Sequence, residues 1–495
     1  MAMTNKLTIT LVLLISIAFF HCLAFRLEFE EFEPRQQQEE QEGPGAGHGG
    51  SSGRGWEEEA TNNPYHFKER SFKSWFQSKE VGYMKMLPKF TKRSSTLFRG
   101  IENHRFMFME MEPNTFLVPH HVDADFVFIV LQGKGMIGFV TDKTKESFEI
   151  KKGDVVRVPS GVTHFFTNTN ETVPLRLAKI AVPVNTPGHF QANFPSRSKF
   201  QQSYFSGFSN DVLSASFNIP EELVGSLIRG SQQMGQGIIR RVSPEQIKEL
   251  TEHATSPSNK HKEKGKGKEK DTSTMWNPFN IFKEDPIYSN DFGHLHEAHP
   301  KKFSQLQDLD ISVSWINMTQ GSLFLPHYNS KTTFVVFVEN GCARFEMASP
   351  YTFQGEQQQQ QKPWFEQEQG EEQEQEEEEM SGQVHKFVSR VCKGEVFIIP
   401  AGHPFAVLAQ DQNYVAVGFG INAFNSKRTF LAGQENMLNN LDKVATRLSF
   451  GVGSKMAEKL FTSQNYSYFA PTDRSRQFPE KRKPSFQSIF NIAGF

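Results

Sequence analysis

Four histidines stand where side-chain chemistry could gather. His121 and His164 lie in the first half of the chain, His327 and His403 in the second. Imidazole is a common metal ligand and titrates near neutral pH, so a converging set could hold an ion or move a proton. A catalytic metal needs three or four donors with a position left open. Each half offers at most two plausible ligands. The reading adopted is therefore sheet histidines bonded to backbone or water. No nucleophile constellation accompanies them, and no glycine-rich phosphate loop stands between a strand and a helix. The acids crowd into polar tracts, where pairing for acid–base work fails.

The elements that position these residues form one internal duplication. Lys151 to Asn168 reads as a turn, a strand, a second turn and a histidine. Lys152-Gly153-Asp154 is turn chemistry, Val155-Val156-Arg157-Val158 suits a pleated sheet, and Pro159-Ser160-Gly161 stops it. Cys392 to Ala406 repeats the pattern as Lys393-Gly394-Glu395, an apolar strand and Pro400-Ala401-Gly402.

Short strands are expected at Arg105–Met111, Thr115–Val118 ending at Pro119, Phe126–Leu131, Met136–Val140, Ser147–Ile150 and Leu175–Val182. Many short strands with Gly and Pro turns predict an antiparallel sandwich or barrel. The second copy gives Ser322–Leu325 ending at Pro326, Phe334–Val338 and Ala343–Met347. Gly153 follows Pro119 by 34 residues, whereas Gly394 follows Pro326 by 68. The extra length is a Gln/Glu tract that cannot bury a core and should admit proteases. Helical spacing appears over 210–251, with a start at Ser243-Pro244-Glu245-Gln246. It returns over Gln434–Phe450 and Ser454–Phe461. Apolar stripes on such helices need a partner surface, which a neighbouring subunit would supply.

The domain plan is residues 1–24 as signal peptide, 25–63 as a disordered Gln/Glu/Gly-rich segment and 64–254 as a first barrel with helices. A Lys-rich linker (255–275), a second barrel with helices (276–471, acidic insert 355–382) and a tail (472–495) follow. Lys6 and the apolar run Leu7 to Phe20 mark the signal, with Phe25 as the mature start. The run is short for a membrane span, and no later one is longer, so no membrane partner is expected after signal removal. The formal net charge of −2 and the lack of aromatics in the lysine-rich run argue against a nucleic-acid partner. Signal removal leaves Cys342 and Cys392, which sit either in a disulfide permitted in the secretory lumen or as two buried thiols. Asn170, Asn317 and Asn465 head glycosylation sequons.

A duplicated double-stranded β-helix with KG(D/E)VxxxPxG in each half resembles the cupin superfamily. Gly153, Pro159, Gly161, His164 and Asn168 match its second motif. The two-barrel order, the signal, the acidic tract and the helical pairs are similar to vicilin-type 7S seed storage globulins. Gly100-Ile101-Glu102-Asn103, Thr186-Pro187-Gly188-His189-Phe190, Pro326-His327-Tyr328-Asn329-Ser330 and Ala401-Gly402-His403-Pro404-Phe405 carry that likeness. The resemblance implies a mainly β fold: two cupin jelly-roll barrels, each followed by a short helical pair. It implies a non-enzymatic nutrient reservoir that forms a homotrimer by head-to-tail cupin and helix contacts, with a metal-dependent cupin enzyme or a sugar-binding cupin as the alternative. It also implies transit through the secretory pathway to the protein storage vacuole. Metal-dependent cupins use two histidines and a glutamate from the first motif and one histidine from the second. Here Pro119, His121 and Phe126 hold the first-motif places, so only His121 and His164 remain. In the second half Thr333 or Phe334 replaces the acid. The copper segment of some vicilins is here Ser349-Pro350-Tyr351, without its cysteine and histidine. The implied cofactor is none, and His403, His327 and Tyr351 form the remaining candidate for weakly held copper or another divalent metal.

Overall fold

Short aromatic and β-branched runs closed by Gly and Pro turns form antiparallel strands throughout the computed structural model, which describes residues 63–199, 201–229, 237–255, 276–350 and 384–472. The expected signal, essentially all of the Gln/Glu/Gly-rich segment, linker, acidic insert and tail, and also Tyr351, lie outside them. The first half gives β1 (His66–Phe67), β2 (Lys73–Ser78), β3 (Gly82–Met86), β4 (Arg105–Met111), β5 (Thr115–Val122), β6 (Ala124–Gln132) and β7 (Lys134–Val140). It continues with β8 (Lys145–Lys151), β9 (Asp154–Val158), β10 (Thr163–Asn168), β11 (Leu175–Pro183), β12 (Ala192–Asn193) and β13 (Ile239–Arg241). The second half gives β14 (Phe279–Asn280), β15 (Tyr288–Asn290), β16 (Gly293–Ala298), β17 (Ile311–Met318), β18 (Ser322–Asn329), β19 (Thr333–Asn340) and β20 (Cys342–Ser349). It ends with β21 (His385–Cys392), β22 (Val396–Ile399), β23 (Phe405–Ala409), β24 (Tyr414–Ile421), β25 (Arg428–Phe430) and β26 (Phe469–Pro471).

Each half pairs two sheets. The first half has β14-β9-β6-β11-β4-β3-β2 facing β12-β5-β10-β7-β8, with β13 beside β5. The second has β1-β22-β19-β24-β17-β16-β15 facing β21-β20-β23-β18-β25, with β26 beside β18. The outermost strands are exchanged. β1 precedes the first barrel but pairs with β22 of the second, and β14 precedes the second barrel but pairs with β9 of the first.

The continuous apolar runs follow from this arrangement. Strands buried on both faces lose the alternation of a half-solvated sheet. Every residue of β4 is buried. Met107 and Met109 enter the first barrel, while Phe106 and Phe108 join a core shared with the second. Phe337 packs between them at centroid distances of 5.4 and 5.3 Å. Each such ring withdrawn from water contributes about 1.5–3 kcal/mol.

Pro119 and Pro326 do not end their strands, contrary to expectation. β5 and β18 run on to Val122 and Asn329. The pairing register shifts beside each proline. A bulge leaves one residue outside the ladder, where a missing N–H goes unneeded.

Among the described residues the α-helices are α1 (Asn210–Phe217), α2 (Glu221–Arg229) and α3 (Pro244–Thr251) after the first barrel, then α4 (Lys443–Phe450) and α5 (Ser454–Thr462) after the second. Ser243 and Gln246 close a reciprocal capping box on α3, as their spacing predicts. The helix expected from Gln434 begins later. The Asp442 carboxylate accepts from the Val444 and Ala445 amides at 2.9 and 2.8 Å, which starts α4 there. Residues 437–440 form a separate 3₁₀ turn.

Candidate functional site

The first barrel places two imidazoles side by side in its interior, tilted to each other by 51°, but they are His120 and His164. Their ring centroids lie 4.3 Å apart. Adjacent strand residues point to opposite faces, so one of His120 and His121 must turn out. The β5 bulge sets which: His120 pairs directly with His164 in register. His121 leaves the interior and lies 5.7 Å from the Tyr204 ring. The expected pairing of His121 with His164 is therefore corrected to His120 with His164.

Both inner rings are tied to their own strands. His120 Nδ1 donates to the Val118 carbonyl at 2.9 Å, and His164 Nδ1 donates to that of Val162 at 3.0 Å. Burial holds His120 down at about pKa 4, and burial with the neighbouring His120 holds His164 well below the ordinary imidazole range. Lys179 shares this interior. Its Nζ lies 4.5 Å from the Phe166 centroid and 3.6 Å from Met109 Sδ. Burial lowers its pKa to about 7.

The second barrel repeats the geometry with one imidazole fewer. His327 occupies the place of His120, with Nδ1 donating to the Leu325 carbonyl at 2.7 Å. Its register partner is Phe405, where the first barrel has His164. Phe324 and Phe405 lie 4.3 and 4.2 Å from the His327 ring. Burial, aided by Arg428, takes His327 down to about pKa 3. A cavity of about 60 Å³ lies here against His327, Tyr414 and Arg428. The Tyr414 hydroxyl, buried, has no hydrogen-bond partner among the described residues.

His403 does not join His327. It sits in the turn after Gly402, where Nδ1 donates to the Ala401 carbonyl at 3.0 Å and Nε2 lies 3.1 Å from Ser349 Oγ. It stands two positions before Phe405, so it matches Val162 of the first copy and not His164. Tyr351 falls outside the described residues. No group of three or more His, Cys, Asp or Glu placed to hold a metal occurs among the described residues. Among the described residues, neither barrel brings the expected histidines together as a donor set.

The structure links Cys342 and Cys392 in a disulfide. The two stand opposite each other on β20 and β21, with Cα atoms 4.0 Å apart. Asn317 and Asn465 are exposed. Asn170 is half-buried, and its side-chain oxygen accepts from the Thr172 and Val173 amides.

The repeated motif has a role that sequence reasoning missed. Gly153 and Gly394 take φ of 87° and 84°, the left-handed region that glycine tolerates. The acid after each glycine folds back on its own turn: Asp154 accepts from the Lys151 amide and Glu395 from the Cys392 amide, both at 2.8 Å. The same acids hold the exchanged strands. Asn280 of β14 donates to Asp154 at 2.7 Å, and His66 of β1 lies 2.9 Å from Glu395. The signal was the acid's recurrence in both copies.

The cupin family model matches residues 104–224 and 279–458. A vicilin-like seed storage protein of Arabidopsis thaliana is 70% identical over the whole of both chains. Conglutin beta 1 of Lupinus albus is 36% identical over 82% of this chain and 74% of its own. Among solved structures, the vicilin of Capsicum annuum has a TM-score of 0.70 at 35% identity, covering 83% of this chain and 100% of the other. The vicilin of Corylus avellana also has a TM-score of 0.70, at 33% identity with the same coverage. Two cupin barrels in one chain, together with these relatives, place the protein in the vicilin-type 7S globulins: it is a seed storage protein and not an enzyme.

Proposed function

We propose that this storage globulin works as a homotrimer, in which the helices of one barrel dock on the opposite barrel of the next subunit. The observation that carries this is the apolar face left uncovered on the helices. Leu448 and Leu460 are 78% and 60% exposed, and Leu223, Val444 and Met456 are exposed beside them or on α2. Scattered apolar residues on a surface need no explanation, but a cluster on paired helices does. Head-to-tail contact closes into a ring when the rotation fits. A trimer lets each chain cover these faces with like surfaces and pack densely.

Transit to the storage vacuole fits the same reading. The apolar run Leu7 to Phe20 supplies entry to the secretory route, and the apolar tail Ser488 to Phe495 resembles vacuolar sorting tails of the family. The Gln/Glu tract around residues 355–382 stores amide nitrogen and offers proteases an entrance when reserves are used. Static light scattering on the purified protein tests the assembly. A mass of three chains supports it, and a monomer at micromolar concentration contradicts it. The double variant Leu448→Asp with Leu460→Asp is expected to shift the trimer to smaller species.

A further inference from the structure

A second cavity, of about 230 Å³, lies between the two barrels. Its floor is aromatic: Phe72 and Phe108 from the first half and Phe337 from the second. Most charges around it are already paired. Lys85 lies 3.1 Å from Glu69, and Arg176 lies 2.6 Å from Glu110. Glu339 and Lys393, both lining the cavity, are different. Among the described residues, neither side chain has a hydrogen bond or an ion pair.

The internal duplication makes Glu339 more informative. Phe126 to Gln132 and Phe334 to Asn340 are corresponding strands, each followed by a glycine. Glu339 therefore stands where the first copy has Leu131, and both side chains face this cavity. A half-buried carboxylate in a leucine's place destabilises the fold unless something pairs with it. Burial pushes its pKa up despite the pull of Lys152, Lys393 and Arg176. The cations are near enough to be felt and too far to bond. One open anion and one open cation over an aromatic floor suit a molecule carrying both opposite charges and an apolar body.

We propose that the inter-barrel cavity binds a free α-amino acid with an apolar side chain, its ammonium on Glu339, its carboxylate on Lys393 and its side chain against Phe72, Phe108 and Phe337. For a protein that is digested into amino acids, such a site would report the local level of its own product.

Calorimetric titration of the intact protein with L-phenylalanine tests this, alongside 3-phenylpropionate, which lacks the ammonium, and phenethylamine, which lacks the carboxylate. Phenylalanine is expected to bind, and each analogue to bind about tenfold more weakly or worse, as for loss of one charge-assisted hydrogen bond. Glu339→Leu, which copies the first barrel's own residue, and the isosteric Glu339→Gln should each weaken phenylalanine by about the same factor. Circular dichroism checks that both variants fold. Lys393→Met gives an independent arm with the same expected loss. Equal binding of phenylalanine and phenylpropionate, undiminished binding in folded Glu339→Gln, or no heat with phenylalanine and leucine at millimolar concentration overturns the proposal.

Discussion

His66 Nε2 lies 2.9 Å from Glu395 Oε2, although 329 positions of chain separate them. The contact fastens the strand that precedes the first barrel to the edge of the second. Asn280 and Asp154 make the reciprocal contact at 2.7 Å. Each barrel thus lends a strand to the other, and the turn acid of the repeated motif is the latch in both.

Removing one latch should loosen its strand. His66→Ala leaves the half-buried Glu395 carboxylate with the Cys392 amide alone and is expected to cost about 1–2 kcal/mol in urea unfolding. The Ile398 amide donates to the Tyr65 carbonyl at 2.9 Å beside this latch. Its hydrogen exchange should speed up in the variant while amides of β6 stay protected. Unchanged exchange at Ile398 would show that the latch does not hold β1.

Acid should weaken the fold in two steps of the same sign. His120 is held at about pKa 4 and His327 at about 3, against 6.5 for free imidazole. The unfolded chain takes up protons below 6.5 while the folded chain resists until near these values. The unfolded state therefore binds more protons in that window, and stability falls with pH through it. For Glu395, burial pushes the pKa up, but the His66 side chain and the Cys392 amide outweigh it and hold the carboxyl below 4.5. Its contribution is present above 4.5 and is lost as the pH drops through the lower folded value. Melting temperatures from pH 7 to 3 check this. The variant His120→Leu should flatten the slope between pH 6.5 and 4, and an unaltered slope would rule out that histidine as a source.

The disulfide closes a stretch with a sequence separation of 50. The whole acidic insert, 355–382, lies inside this stretch. Closing a loop of that size is worth about 2–4 kcal/mol through the unfolded state. Cys342→Ser with Cys392→Ser should lower the unfolding midpoint, and reductant should lower the native protein to the same value. A midpoint insensitive to both changes would mean the loop is closed well enough by β20–β21 pairing alone.

Much of this fold can be read from the letters, and the failures have local causes. The motif turns, the strands they flank and the α3 cap all depend on neighbours in sequence. Val155 to Val158 and Ser243 to Gln246 each declare themselves. The inward histidine depended on a bulge at Pro119, and a shift of one residue reverses every side chain beyond it. The first-motif spacing consequently pointed to His121. The exchanged strands β1 and β14 contain two residues each, too few for any periodicity to show. Phe405 in the place of His164 was hidden because His403 stands two residues earlier and mimics it. Nothing in the local sequence around Glu339 marks it, because the cavity it lines forms only where the two barrels meet.

We propose that the barrel interiors pack rather than coordinate an ion. Elemental analysis by mass spectrometry of protein purified from ripe seed, without added metal or chelator, tests this most directly. The expected result is metal far below one ion per chain, unaltered in His164→Ala and His327→Ala produced recombinantly. A stoichiometric ion that disappears with His164→Ala or His327→Ala would contradict the account.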